Sequence, residues 1–196
     1  MKKKIALLMA MVMLFGMTVA GTLAWLQATS APVVNTFTEG KITIDLNESV
    51  HEGTGTTKAN AYKVVPGNKY VKDPVVTVES GSEPCWVFVE IVESGNAFDN
   101  DKYIQYAINT TDWTKVTDTT RNVYYYKEVV NALSGDVVMT STVLATVDGK
   151  NITINPNITE SDMAAATAAT ITFNAFAVQS ANLTTAQEAW DATFGA

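Results

Sequence analysis

Cys85-Trp86-Val87-Phe88-Val89-Glu90-Ile91-Val92 decides how this chain folds. Its β-branched and aromatic residues favour extended backbone. The run is apolar on both alternating faces, which suits a strand in the middle of a sheet. Working outward, Asp73-Pro74-Val75-Val76-Thr77-Val78-Glu79 reads as a strand that opens with proline, where a missing N–H costs least. Lys41-Ile42-Thr43-Ile44-Asp45-Leu46 alternates strictly, so Ile42, Ile44 and Leu46 share one face. Residues 103–108 and 122–130 are further strand candidates, the second carrying Tyr124, Tyr125 and Tyr126. Residues 140–147 and 150–154 flank Asp148-Gly149, a hairpin pair suited to two positive φ angles. Thr170-Ile171-Thr172-Phe173-Asn174-Ala175-Phe176-Ala177-Val178 alternates again and predicts a long late strand.

Helix is scarce. Residues 184–190 predict a short helix with Thr184 as N-cap and Gln187 as its capping-box partner. Residues 161–169 predict a second, capped by Ser161. Residues 47–61 are polar and glycine-containing, and read as a surface loop. Many strands separated by Gly, Asn, Asp and Ser clusters predict an all-β fold: a jelly-roll-like antiparallel β-sandwich with one or two short helices, following a signal peptide.

The N-terminus carries that signal. Lys2, Lys3 and Lys4 precede an apolar run over residues 5–20, then Gly21-Thr22-Leu23-Ala24 with small residues before a cut between Ala24 and Trp25. This is the order of a secretory signal peptide. The competing reading is an uncleaved anchor, since residues 5–26 approach the roughly 20 needed to span a bilayer. Cleavage gives residues 1–24 as leader and 25–196 as one domain, with no stable membrane anchor afterwards. It removes three of the 13 basic residues and none of the 20 acidic ones, leaving a formal charge of 10 minus 20, or −10. A polyanion of this kind does not suit nucleic acid or anionic lipid.

Catalytic chemistry finds little purchase. His51-Glu52 starts a zinc-protease motif, but position 55 is Gly55 and His51 is the chain's one histidine. A serine or cysteine nucleophile would have to recruit that same His51. Asp99-Asn100-Asp101 offers clustered oxygens for calcium, without the glycine and distal glutamate of an EF-hand loop. Trp113 and Tyr124 to Tyr126 offer either a carbohydrate platform or core packing. Cys85, the lone cysteine, predicts a buried thiol, or else a bond between chains. No cofactor or metal ligand set is expected, and the protein reads as a non-enzyme.

Several segments together resemble the TasA/camelysin family of exported Gram-positive proteins, whose leaders are cut by a dedicated SipW-type signal peptidase. Residues 21–26 followed by Asn35-Thr36-Phe37-Thr38-Glu39-Gly40 and the strand at 41–46 are similar to the family's start. Val65-Pro66-Gly67-Asn68 with Lys72-Asp73 and Val76, then Gly81-Ser82-Glu83-Pro84-Cys85-Trp86-Val87, resemble its next strands. Tyr124-Tyr125-Tyr126-Lys127, Ala175-Phe176-Ala177-Val178-Gln179 and Ala189-Trp190 match later blocks. The resemblance implies a jelly-roll subunit of biofilm matrix fibres whose partners are copies of itself or related subunits. It implies donation of the mature N-terminal strand, residues 25–37, with Trp25, Leu26, Val33, Val34 and Phe37 as apolar anchors. The other reading of that segment is a strand packed on its own domain. Pro32 in its middle offers no ladder hydrogen bond. The family also includes proteins described as metalloproteases, which gives one alternative function; a glycan-binding adhesin is another. Glu90, where family members often carry a basic residue, points to a specialised or accessory subunit.

Overall fold

A computed structural model of the chain describes residues 39–49, 60–98, 102–117 and 119–195, together with Lys3, Lys4, Ile5, Met9 and Met11. Those five N-terminal residues are helical, and Ile5, Met9 and Met11 are exposed. They belong to a unit spanning Met1–Thr38, and the second unit spans Glu39–Ala196. Among the described residues no helix is long and apolar enough to cross a membrane.

The second unit is an antiparallel β-sandwich. Its strands are β1 (Ile44–Glu48), β2 (Lys69–Tyr70), β3 (Pro74–Val78), β4 (Cys85–Ser94), β5 (Ile104–Tyr106), β6 (Trp113–Lys115), β7 (Val123–Tyr126), β8 (Val137–Val138), β9 (Ile152–Ile154) and β10 (Thr170–Gln179). Two helices follow late in the chain, α1 (Glu160–Thr167) and α2 (Ala186–Phe194). One layer is the sheet β10-β4-β7-β6; the facing layer consists of two three-stranded sheets, β1-β3-β8 and β2-β9-β5.

The apolar run at 85–92 is central, as expected, and its two-faced character has a clear cause. Cys85, Val87, Val89 and Ile91 point into the sandwich against Val76, Val78, Leu144 and Ile152. Trp86 and Phe88 point the other way, under α2, against Ala186, Ala189 and Trp190. Val87, Phe88 and Val89 are all 0% exposed, so neither face meets water. β10 pairs with β4 along the whole of both strands, from Cys85 opposite Gln179 to Ser94 opposite Thr170. It follows the same division: Phe173 faces the sandwich, and Phe176 and Val178 face α2.

Glu90 is the one polar side chain inside the run, and the structure supplies its partners. Arg121 grips the carboxylate with two bonds, Nε to Oε1 at 2.7 Å and an Nη to Oε2 at 2.9 Å. Asn174 on β10 donates a third at 3.0 Å. The guanidinium lies 5.0 Å from the ring centres of both Phe176 and Trp190, within cation–π range. Charge pairing and aromatic packing therefore meet at one point under α2.

Several boundaries differ from expectation. The helix cap is Thr185, not Thr184: its hydroxyl accepts the Glu188 N–H at 3.1 Å, and the Glu188 carboxylate accepts the N–H groups of Thr184 and Thr185. Gln187 instead docks the helix, exchanging hydrogen bonds with the backbone of Thr117. α1 begins after Thr159, with Asp162 as box partner, so Ser161 lies inside the first turn. Residues 140–147 form no strand beyond the single pairings Ile108–Leu144 and Val147–Lys150. Side chains take the backbone groups there: Trp113 Nε1 donates to the Ser141 carbonyl at 3.0 Å, and Asn109 to that of Thr142 at 3.3 Å. Asp148 and Gly149 do have positive φ, 54° and 73°, but the turn closes only Val147 onto Lys150. β1 runs on to Glu48 into what reads as loop, and β9 pairs with β2 and β5.

Two outcomes follow from this packing. Trp190→Ala empties a site that is 1% exposed and should cost about 3–5 kcal/mol, read as a lowered midpoint in urea unfolding. The hydrogen bonds from Arg121, against the cost of burial, hold the Glu90 carboxyl below its ordinary value. The unfolded chain therefore takes up that proton first on acidification. This share of stability is intact above about pH 4.3 and is lost as pH falls through the lower folded value. Glu90→Gln should flatten that part of the acid limb in a stability-against-pH titration.

Candidate functional site

The features that can do something beyond hold the fold gather at one sheet edge. β10 is the outer strand of its sheet, and among the described residues no strand pairs with its far side. At ten residues it is about twice the usual strand length, roughly 34 Å long at ~3.4 Å per residue. Natural edges are normally guarded by lysine, proline, a bulge or brevity. Thr170-Ile171-Thr172-Phe173-Asn174-Ala175-Phe176-Ala177-Val178-Gln179 contains no charge and no proline. Its pairing with β4 is unbroken over all ten residues, so no bulge twists it away. β1 is likewise the outer strand of its own sheet.

Both edge strands contribute to the wall of one cavity of about 720 Å³. Leu46, Asn47 and Glu48 come from β1, and Thr170 to Phe173 from β10. Ile104, Ile152 and Ile154 of the third sheet add an apolar surface, with Phe98 and Ala166 of α1 beside it. The volume falls in the range of pockets that take ligands or side chains, about 300–1,000 Å³. Glu48, Asn60 and Lys72 form a polar cluster in this lining. Lys72 Nζ pairs with Glu48 Oε1, and the two side chains are only 8% and 9% exposed. Asn60 Nδ2 donates to the other oxygen, Glu48 Oε2, at 2.5 Å.

The residues expected from sequence to matter fall mainly elsewhere. Ala24, Trp25, Leu26, Val33, Val34 and Phe37 lie outside the described residues, as do His51 and Asp99, Asn100 and Asp101. Among the described residues no group of three or more His, Cys, Asp or Glu side chains is placed to hold a metal ion. Trp113 is buried at 2% exposure. Tyr124 and Tyr126 pack on the sandwich core while Tyr125 packs toward α2, so the three split between two faces of their sheet. Sequence reasoning missed the cavity's polar cluster. The signal in reach was Lys72 beside a strand start, but its partner Glu48 lies 24 residues away and Asn60 reaches Glu48 across 12, and only folding brings them together.

Cys85 is fully buried, and burial pushes its thiol up to about 11. Since the thiolate is the reactive form, iodoacetamide at neutral pH should leave the native protein unlabelled and modify it fully in denaturant, as followed by mass spectrometry.

The chain matches no family model, no curated protein and no solved structure.

Proposed function

We propose that this protein is a secreted structural subunit of extracellular matrix fibres. In this reading residues 25–37, freed by cleavage between Ala24 and Trp25, add as a strand to a neighbouring copy. The observation that carries it is the edge of β10, which carries no charge, proline or bulge and pairs with no other strand among the described residues on its far side. Such an edge presents a row of N–H and C=O groups that only another strand can satisfy in register, which is the physical basis of β-augmentation. The donor segment spans 13 residues against ten in β10, enough to cover it. Its Trp25, Leu26, Val33, Val34 and Phe37 are apolar, as is most of the cavity bordered by β1 and β10. Pro32 has no N–H to give, so the donated strand makes no ladder bond from that nitrogen.

A contact in which the N-terminus of one copy meets the sheet edge of the next is heterologous. It does not close on itself, so repetition builds a filament. Removal of the leader becomes the trigger, since the donor has no free end before it. The formal charge of −10 on the cleaved chain opposes assembly at low salt, when charges act over about 30 Å, and less so near 0.1 M, when the range is about 10 Å.

The test is electron microscopy of the chain starting at Trp25 beside one starting at Thr38. Fibres from the first and monomers from the second are expected, with growth of the first faster at 0.1 M than at 0.01 M salt. A peptide of residues 25–37 should cap growth in proportion to its concentration. Monomers from both chains, or fibres from both, would show that strand donation is wrong.

A further inference from the structure

We propose that Lys72 and Asn60 become joined by an intramolecular isopeptide bond, with Glu48 as the proton carrier. The inference rests on the convergence of three side chains and is independent of how the protein assembles. An amine, a primary amide and a carboxylate meet at one point, the amine and carboxylate buried and the amide partly so, with the carboxylate between the other two. Lys72 Nζ is bound to Glu48 Oε1, and Asn60 Nδ2 donates to Glu48 Oε2 at 2.5 Å.

The backbone around them holds this arrangement. Glu48 lies opposite Pro74 at the end of the β1–β3 ladder, and the Ser49 N–H is bound by Asp73 at 3.1 Å. The Lys72 N–H is fixed by Asn151 Oδ1 at 3.0 Å. Tyr62, two residues from Asn60, donates its hydroxyl to the Val71 carbonyl at 2.8 Å, tying the two reacting segments together. The ring of Phe173 lies 5.2 Å from Nζ and helps to exclude water.

Such a site brings together what acyl transfer needs: an amine, an amide and a carboxylate able to carry protons. Desolvation makes a buried ammonium–carboxylate pair costly. Moving one proton from Lys72 to Glu48 leaves a neutral amine and a neutral acid. The amine lone pair then adds to Asn60 Cγ, forming the new N–C bond. Glu48 delivers its proton to Nδ2 as the Cγ–Nδ2 bond breaks, and takes a proton from the former lysine nitrogen. Ammonia leaves and accepts the last proton, restoring the carboxylate. The balance is one amide formed and one ammonium ion released, with no oxidant or co-reactant. Exclusion of water keeps hydrolysis from competing at Cγ, and holding amine and amide on one carboxylate makes the step unimolecular. The product is a covalent ring over residues 60–72 at the rim of the cavity.

The test is intact mass spectrometry of the purified full chain, followed by proteolysis and tandem sequencing. The expected mass falls short of the sequence by one ammonia, with a branched peptide joining Asn60 to Lys72. Lys72→Arg and Asn60→Ala should each restore the full mass. Glu48→Gln should slow bond formation roughly 10²-fold or more, the scale of general acid–base catalysis, with circular dichroism checking that it is folded. Should Glu48→Gln not fold, Asn60→Ala, at a partly buried position, still decides the matter. Wild-type protein that keeps its full mass after prolonged warm incubation overturns the proposal. So does an ammonia loss that persists in Asn60→Ala or yields no branched peptide.

Discussion

The ten-residue antiparallel pairing of β4 with β10 is the constraint on which the rest of the structure depends. It joins segments about 85 residues apart in sequence and creates a ribbon with two apolar faces. One face needs a second β-layer, which β1-β3-β8 and β2-β9-β5 provide. The other needs a lid, and α2 is short, well capped and aromatic enough to be one. Without the ribbon neither cover has a surface to bury.

Under that lid the Glu90–Arg121 pair explains how a charged residue survives in the most apolar strand of the chain. Burial alone would penalise it, yet two guanidinium bonds and one from Asn174 occupy the carboxylate. The Arg121 plane in turn lies near Phe176 and Trp190, so the ion pair also fixes where α2 sits. A basic residue at position 90 would meet Arg121 and repel it. The acidic residue at this position is thus matched by a partner 31 residues away.

The same ribbon leaves a cost at its outer side. β10 is long, uncharged and free of proline, features that natural edges usually avoid because they invite other strands. An edge of this kind, unpaired among the described residues, is a hazard in a monomer. The cavity beside it has a parallel logic: its apolar wall holds three polar side chains that are mutually satisfied yet chemically complementary.

By itself the sequence determined what short-range pattern can determine. The two-faced run at 85–92, the alternation at 170–178 and the proline-opened strand at 73–79 all lie where their periodicity placed them, because side-chain burial along a strand repeats every two residues. The positive φ of Asp148 and Gly149 was equally legible, being a local steric matter. Legibility ended where distant groups compete for the same backbone. Ser141 and Thr142 lose their place in a strand to Trp113 and Asn109, and the helix cap shifts by one residue because Gln187 is drawn to Thr117. What only the tertiary structure decided is which strands become edges, and which amine, amide and carboxylate share a cavity. Those depend on sheet order and on contacts spanning tens of residues, which no local period encodes.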